Sequence, residues 1–209
     1  MIKEDLVLIG AGGHASSCID VIEQEGRFRI AGLVGLSQEV GSMCFDYRVL
    51  CDDSGLTYLA TKFPYALITV GQIHSAQLRV DLFEKAKKAG FKFPTVIAKS
   101  AYVSPRASLG LGTIVFHGAI VNAGVLVGKN CIINSSSLLE HGSRVGDHSH
   151  ISTGVIINGK SQVGSRSFVG SRAVVKDGVA IGEDSFVGMG LVVKHDLLEK
   201  TKYIIEESP

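Results

Sequence analysis

The feature that most constrains this chain is an aliphatic residue at every sixth position from Val103 to Val193. This period matches neither the 3.6 residues per turn of an α-helix nor the two-residue alternation of a β-strand. Hexapeptide repeats are typical of a parallel β-helix, in which each hexad forms one flat side of a triangular coil. The sequence therefore predicts a prism of about five coils spaced ~4.8 Å apart, with the aliphatic side chains stacked along its axis.

The other positions of the hexad fit the same prism. The fourth residue after each aliphatic position is mostly small. The residue directly after the aliphatic one is often Gly or Asn. We expect the small residues to face inwards as well, and Gly and Asn to form the tight left-handed corners. Cys131 occupies one of the small inward positions, so we expect a core role for it rather than a nucleophilic one.

The residues before the prism follow another pattern. The stretch LVLIGAGGHASSCIDVIEQEG predicts a strand, a glycine loop and an amphipathic helix, and RIAGLVGL and YALITVG predict two further strands. AQLRVDLFEKAKKAG predicts a second helix that ends at a glycine cap. Alternating strands and helices indicate a parallel α/β unit. We therefore expect an α/β half-domain of the Rossmann type at 1–95, the prism at 96–194, and a short helix or loose tail at 195–209.

Composition and charge exclude several classes of function. The formal net charge of +1 predicts no strongly basic face for nucleic acid. The sequence contains no run of about 18 apolar residues, so it predicts no membrane span. The first residues predict a β-strand rather than a signal peptide. The four cysteines form no CxxC pair, which indicates a reduced cytoplasmic protein rather than a disulfide framework.

Three stretches carry a resemblance to one family. They are IGAGGHA at 9–15, SLLEHGSRVGDHSHISTG at 137–154 and SFVGMGLVV at 185–193. Together with the hexapeptide period, they make the chain resemble the hexapeptide-repeat acetyltransferases of nucleotide sugars and sialic acids. Within that family it is most similar to the enzymes that acetylate the 4-amino group of a nucleotide-linked amino sugar, as in bacillosamine synthesis. The resemblance implies a left-handed prism, acetyl-CoA as co-substrate, and a homotrimer with active sites between neighbouring prisms.

The resemblance also implies roles for individual residues. It makes His141 the catalytic base of a direct transfer without a covalent enzyme intermediate, and it places His150 at the thioester carbonyl. The residues implied to line the acetyl-CoA groove are His150, Gly159, Ser171 and Met189. Those implied to hold the sugar nucleotide are Gly12, Gly13, His14 and Gly71. The basic residues of the same coils, which we expect to meet the cofactor phosphates, are Arg166, Arg172, Lys176 and Lys194.

Three features depart from the family pattern. Gly142 stands where the family usually has a carboxylate that orients the base. The sequence leaves three alternatives open: Glu140 substitutes, Asp147 substitutes, or the enzyme works without such an acid. Gly35 and Leu36 stand where the family often has two aspartates that hold the nucleotide. The absence of these two aspartates leaves the identity of the nucleotide open and favours a nucleotide other than a uridine nucleotide. The usual C-terminal GVPA-type segment is also missing.

Two other interpretations of the same motifs are disfavoured. GAGGHA has the form of a dinucleotide-binding fingerprint, but no acid closes the second strand, where an NAD site needs one. A metal site is conceivable because some prisms bind zinc through histidines, and the candidates are His117, His141, His148 and His150. The gap from His117 to His141 does not match an 18-residue coil and no acidic fourth ligand is evident, so we expect no metal. We expect His148 on the surface.

The sequence therefore predicts an acetyl-CoA-dependent N-acetyltransferase that acts on the 4-amino group of a nucleotide-linked amino sugar. Two alternatives remain open from the sequence. One is O-acetylation of a sialic-acid-type sugar. The other is a non-catalytic trimeric binding or assembly module, against which His141 in its Glu-His context argues.

Overall fold

The structure is a computed structural model that describes residues 3–205. Its first part is an α/β unit made of β1 (Glu4–Ile9), α1 (Gly13–Glu25), β2 (Phe28–Val34), β3 (Met43–Cys44), β4 (Tyr47–Cys51), α2 (Leu56–Ala60), β5 (Tyr65–Ile68) and α3 (Gln77–Ala89). Two 3₁₀ turns, Ser37–Glu39 and Asp53–Gly55, follow β2 and β4. No helix within residues 3–205 is long and apolar enough to cross a bilayer.

The α/β unit is a five-stranded sheet in the order β3-β4-β2-β1-β5, parallel except for the β3–β4 hairpin. The predicted strands and helices are present. The buried face of α1 includes Ala15, Cys18, Ile19 and Ile22, the spacing of an amphipathic helix. Gly90, with φ +109°, ends α3 as the glycine cap predicts. The hairpin and α2 were not expected, because elements this short leave no measurable period.

Three parallel sheets form the sides of the left-handed β-helix. Sheet I contains β6 (Val96–Ile97), β9 (Ile114–Val115), β12 (Ile132–Ile133), β15 (His150–Ile151), β18 (Phe168–Val169), β21 (Phe186–Val187) and β23 (Lys202–Tyr203). Sheet II contains β7 (Tyr102–Val103), β10 (Ile120–Val121), β13 (Leu138–Leu139), β16 (Ile156–Ile157), β19 (Val174–Val175) and β22 (Val192–Val193). Sheet III contains β8 (Ser108–Leu109), β11 (Leu126–Val127), β14 (Arg144–Val145), β17 (Gln162–Val163) and β20 (Ala180–Ile181). Each coil runs from sheet I to II to III, so the corners are named I/II, II/III and III/I.

The prism core confirms the prediction from the period of six. All the aliphatic positions face the axis and are buried, except Val103 and Leu109, which are partly buried in the first coil. The small residues also face inwards, and Cys131 is fully buried among them. Each buried aliphatic side chain contributes about 1.5–3 kcal/mol relative to an exposed one. The repeat therefore supplies a continuous core from one end of the prism to the other.

The corner residues differ in one detail from the expectation. From Leu109 to Val187, positive φ falls on the third residue after each aliphatic position, as at Gly142 (φ +69°) and His148 (φ +58°), and not on the residue directly after the aliphatic one. At the III/I corner, glycine occurs directly after the aliphatic residues for a different reason. A Cβ on Gly146 would lie 2.5 Å from the backbone nitrogen of Ser165 in the next coil. Glycine is required there because successive coils approach each other too closely for a side chain.

The C-terminal segment is not the predicted short helix or loose tail. Leu197 bridges to Ile181, and β23 pairs in parallel with β21 through Phe186 and Lys202. The segment therefore adds a further partial coil to the prism. It was missed because Lys202 follows Phe186 by 16 residues instead of the regular 18, which breaks the period. Residues 206–209 of the predicted tail lie outside the described part of the chain.

The α/β unit packs against sheet I and is fixed there by a buried arginine. Ile114, Phe116 and Ile132 of the prism belong to the same buried cluster as α1. Arg79 of α3 is 1% exposed and donates hydrogen bonds to the carbonyl of Val70 and, at 2.8 Å, to the backbone and side-chain oxygens of Asn130. The loop after β5 is therefore tied to the prism, and this places the glycine loop of the α/β unit over sheet I.

Candidate active site

A pocket of about 420 Å³ lies at the carboxyl ends of β1, β2 and β5. The residues predicted to hold a sugar nucleotide line it together: Gly12, Gly13, His14 and Gly71. The loop GAGG leads into α1, whose N-terminus has no side-chain cap and no acid in its first turn. No Lys or Arg lines the pocket. An anionic ligand would therefore be held by backbone amides and the helix dipole, which favour a phosphate group at this place.

His14 lies between this pocket and the prism. Its ring centroid is 5.5 Å from that of Phe116 and 6.4 Å from that of His150. Burial, with the nearby positive charge of Arg79, lowers the pKa of His14 to about 3. The ring is therefore neutral at physiological pH. Its Nε2 atom is buried and has no hydrogen-bond partner among residues 3–205.

His150, on the outer face of sheet I, is held in one neutral tautomer. Its Nδ1–H donates to the Gln72 carbonyl at 2.7 Å, and the side-chain amide of Asn134 lies 3.2 Å from Nε2 and donates to it. Burial lowers the pKa of His150 to about 4. In this arrangement the ring has no N–H left to donate to a thioester carbonyl. The side-chain amide of Asn134 keeps a second N–H beside this ring.

Asn134 was missed by the sequence analysis. It occupies the hexad position directly after an aliphatic residue, where Asn122 and Asn158 also occur. An asparagine at that position is expected in any hexapeptide prism. No local signal therefore distinguishes the one that contacts a buried histidine, and only the three-dimensional contact identifies it.

His141 lies at the II/III corner with its side chain 67% exposed. The carboxylate of Glu140 is 3.5 Å from its Nδ1 and also accepts a hydrogen bond from its backbone amide at 3.2 Å. A carboxylate therefore lies beside His141 although residue 142 is glycine. A Cβ on Gly159 would lie 2.8 Å from the imidazole ring. The Cε1 and Nε2 atoms of the ring thus lie over the bare backbone of Gly159 in the next coil.

The prediction that His148 lies on the surface is wrong. His148 is 6% exposed, lies with Nδ1 3.0 Å from the Asn130 side-chain amide, and packs edge-on against Phe83 at 5.5 Å between ring centroids. Burial lowers its pKa. His148 is therefore a core residue of the contact between α3 and the prism. No group of His, Cys, Asp and Glu residues within 3–205 is arranged to hold a metal ion.

The residues predicted to bind acetyl-CoA fall on two corners of the prism. Ser171 and Met189 lie at the I/II corner, where Ser171 Oγ is 3.0 Å from Ser152 Oγ and Met189 is 78% exposed. Gly159 lies with His141 at the II/III corner. The prediction for Arg166 is not supported, because Arg166 stands at the third corner, III/I, and is paired with Asp184 and Glu183. Arg172 is at the I/II corner, and Lys176 and Lys194 are at the II/III corner.

Within one chain, His141, with Gly159 beside it, is separated from His14, from His150 and from the residues of the I/II corner. It lies at the corner opposite sheet I, which carries His150, and prism sides of six residues span up to ~20 Å. Sheet II lies between the two corners that carry the predicted acetyl-CoA residues. Its outward side chains form an apolar stripe of Tyr102, Ile120, Leu138, Ile156, Val174 and Val192. Tyr102 and Val192 are 55% and 48% exposed. Sheet III, by contrast, presents polar outward residues such as Arg144 and Gln162.

Comparisons with known proteins agree with this geometry. Residues 5–86 match the model of the PglD N-terminal domain, and residues 118–158 and 162–195 match that of the hexapeptide repeat of succinyl-transferase. No curated protein sequence matches the chain.

Three solved structures are similar over almost the whole chain. A variant of perosamine N-acetyltransferase from Caulobacter crescentus, in complex with CoA and GDP-perosamine, is 32% identical, with 95% of this chain and 92% of that chain covered and a TM-score of 0.88. The acetyltransferase domain of PglB from Neisseria gonorrhoeae, in complex with acetyl coenzyme A, is 26% identical, with 95% of both chains covered and a TM-score of 0.86. WeeI from Acinetobacter baumannii shares the fold at 19% identity, with 94% of both chains covered and a TM-score of 0.81.

These likenesses decide between the classes of function left open by the sequence. The protein is an enzyme, and the non-catalytic module is excluded. The perosamine N-acetyltransferase holds CoA, and the PglB acetyltransferase domain holds acetyl coenzyme A. The chain belongs to the hexapeptide-repeat sugar N-acetyltransferases that carry a PglD-type N-terminal domain.

Proposed function

We propose that this enzyme transfers the acetyl group of acetyl-CoA to the 4-amino group of a nucleotide-linked amino sugar, in active sites shared between two protomers of a homotrimer. The observation that carries the proposal is the 32% identity to an N-acetyltransferase whose structure holds both CoA and GDP-perosamine. The α/β pocket of about 420 Å³ is of a size for the nucleotide end of such an acceptor.

The apolar stripe of sheet II supports the homotrimer. A continuous exposed apolar face on a small protein favours burial against another surface. When three copies place sheet II towards a common threefold axis, the II/III corner of one protomer meets the I/II corner of the next. That arrangement brings His141 of one protomer to Asn134 at the I/II corner of its neighbour. It also unites the two halves of the predicted acetyl-CoA groove.

The acceptor binds through the pocket of the α/β unit. The amides at Gly12 and Gly13 hold the diphosphate at the uncapped N-terminus of α1. The sugar then points towards His14, which lines the pocket. Gly71 faces the Cβ of His14 at the opposite wall, where a side chain would make contact at 3.5 Å. The amine of the sugar thereby reaches the protomer boundary.

Acetyl-CoA lies between the I/II and II/III corners, and the residues there fit it. The Met189 side chain is 78% exposed, so it turns away from the groove and leaves its backbone amide accessible. Ser171 offers a hydroxyl on the same corner, and Gly159 offers bare backbone beneath His141 on the facing corner. The cations placed to meet the cofactor phosphates are Arg172, Lys176 and Lys194.

In the reaction, the amine nitrogen bonds to the thioester carbon and the carbon–sulfur bond breaks. His141 accepts the proton that the amine loses and passes it to the leaving thiolate, with no covalent enzyme intermediate. Glu140 orients the ring and stabilises the imidazolium that forms. We assign stabilisation of the carbonyl oxygen to the second amide hydrogen of Asn134. His150 stays in the acetyl-CoA site as the residue that orients Asn134.

The test is CoA release, measured with a thiol reagent, across a panel of acceptors. The panel contains a nucleotide-linked 4-amino sugar, the same nucleotide sugar with a 4-hydroxyl group, and free sialic acid. We expect CoA release only with the nucleotide-linked 4-amino sugar. Gly13→Asp protein, which has a carboxylate at the diphosphate site, should release no CoA with any acceptor. Release with sialic acid and not with the amine would establish the O-acetyltransferase alternative instead.

A further inference from the structure

The end of the pocket remote from α1 has the features of a nucleobase site. It lies at the carboxyl end of β2 and the 3₁₀ turn that follows, Ser37–Glu39. Its walls are the apolar side chains of Val34, Leu36, Leu78 and Leu82. A slot with apolar walls suits a flat aromatic ring, and its few polar groups then decide which ring it accepts.

The polar group at this end is the carboxylate of Glu39. Its Oε2 atom accepts the backbone N–H of Leu36 at 2.7 Å, and this bond holds the side chain over the end of β2. A Cβ on Gly35 would lie 2.7 Å from the same oxygen. The carboxylate thus occupies the space that a side chain of residue 35 would take, so Glu39 restores an acid beside the nucleotide pocket although residue 35 is glycine.

Glu39 differs from the other carboxylate of the pocket in having no cation beside it. Asp53 is paired with Lys85 at 3.1 Å. Within residues 3–205, only the Leu36 amide donates a hydrogen bond to the Glu39 side chain, and no Lys, Arg or His forms an ion pair with it. Since no Lys or Arg lines the pocket either, the group that the ligand turns towards Glu39 must itself donate hydrogen bonds.

We propose that Glu39 selects a guanine nucleotide, by accepting hydrogen bonds from the base; the inference rests on the proposed function, since it concerns the nucleotide of the same acceptor. Guanine carries two adjacent donors, N1–H and the 2-amino group, which match the two oxygens of a carboxylate. Uracil offers one N–H between two carbonyl oxygens, and these repel a carboxylate. Adenine offers its amino group beside a ring nitrogen that accepts. A fitting bidentate pair discriminates between bases by about 10- to 100-fold.

A ribose contact by Glu39 is the competing explanation, and a conservative variant separates the two. Glu39→Gln keeps one oxygen to accept the Leu36 N–H, so the turn is preserved, while the second acceptor is replaced by a donor. Every nucleotide carries the ribose hydroxyls. A ribose role therefore predicts equal weakening for all nucleotides, whereas base selection predicts weakening for guanine alone.

The experiment is calorimetric titration of the full-length enzyme with GDP, UDP and ADP in the absence of acetyl-CoA. Wild-type protein should bind GDP about 10- to 100-fold more tightly than UDP or ADP. Glu39→Gln should lose that preference and leave UDP binding unchanged. Gln38→Ala, a change in the exposed neighbour that does not line the pocket, should behave as wild type.

Two results would overturn the proposal. They are equal binding of GDP and UDP by the wild type, and equal weakening of both by Glu39→Gln. In either case nucleotide binding itself would persist and the proposed acetyl transfer would stand. Failure of all three nucleotides to bind would instead overturn the nucleotide pocket, and with it both proposals.

Discussion

Two inactive variants should restore each other's activity if every active site combines two protomers. His141→Ala removes the base at the II/III corner. Gly13→Asp places a carboxylate where the acceptor diphosphate binds, and a Cβ at this position has nothing within 4 Å. The second change therefore repels the substrate without a steric clash, and an acid in the first turn stabilises the helix. We expect both variants to fold, to form trimers and to be inactive alone.

The expected recovery follows from the threefold arrangement. In every trimer that contains both variants, one of the three sites combines an intact His141 with an intact neighbouring pocket, so activity should reach about one third of that of the wild type. The assay is CoA release by trimers co-expressed with two different tags and purified through both. Matched double-tagged preparations of each variant alone are the controls. Mixed trimers no more active than these controls would refute a site shared between protomers.

Three further results are expected. Ile156→Asp, in the middle of the outward stripe, should yield a folded monomer by light scattering and lose activity; a fully active trimer would remove the stripe from the interface. Glu140→Gln should lower kcat by about 10-fold with little change in the KM for acetyl-CoA, because it weakens both the orientation of His141 and the stabilisation of its imidazolium form; unchanged kcat would leave Glu140 without a role. Because the pKa values of His14 and His150 in the folded protein are lowered to about 3 and 4, the unfolded chain binds more protons below pH ~6.5 and stability falls there. The free energy of unfolding, measured by denaturant titration, should fall by about 1.4 kcal/mol per pH unit for each of the two histidines as pH drops below ~6.5. His150→Asn should reduce that slope.

The prism could be predicted from sequence because its evidence is redundant. Each coil repeats the same inward positions, so a single irregular hexad does not hide the period. The C-terminal coil was missed where this redundancy ends, since β23 pairs after 16 residues and no later hexad restores the register. The burial of His148 depends on Phe83. That ring comes from a helix far away in the chain, and no local pattern reports such a contact.

The site could be predicted only in part. The glycine loop has a local form, so Gly12, Gly13 and His14 were found and do line one pocket. The sequence left three alternatives for the acid missing at Gly142, namely Glu140, Asp147 or none. Only the three-dimensional structure shows that Glu140 lies 3.5 Å from His141. The separation of His141 from His150 could not be predicted from motifs, because residues that are close in the chain lie on opposite sides of a prism.

The central claim is that His141 is the base of a direct acetyl transfer, and it is tested most directly by the turnover of His141→Asn protein. The asparagine keeps a polar side chain at the II/III corner but cannot accept the amine proton. With acetyl-CoA and the nucleotide-linked 4-amino sugar, kcat should fall by ~10²–10⁴-fold, while calorimetry shows unchanged acetyl-CoA binding. Turnover near that of the wild type would contradict the claim.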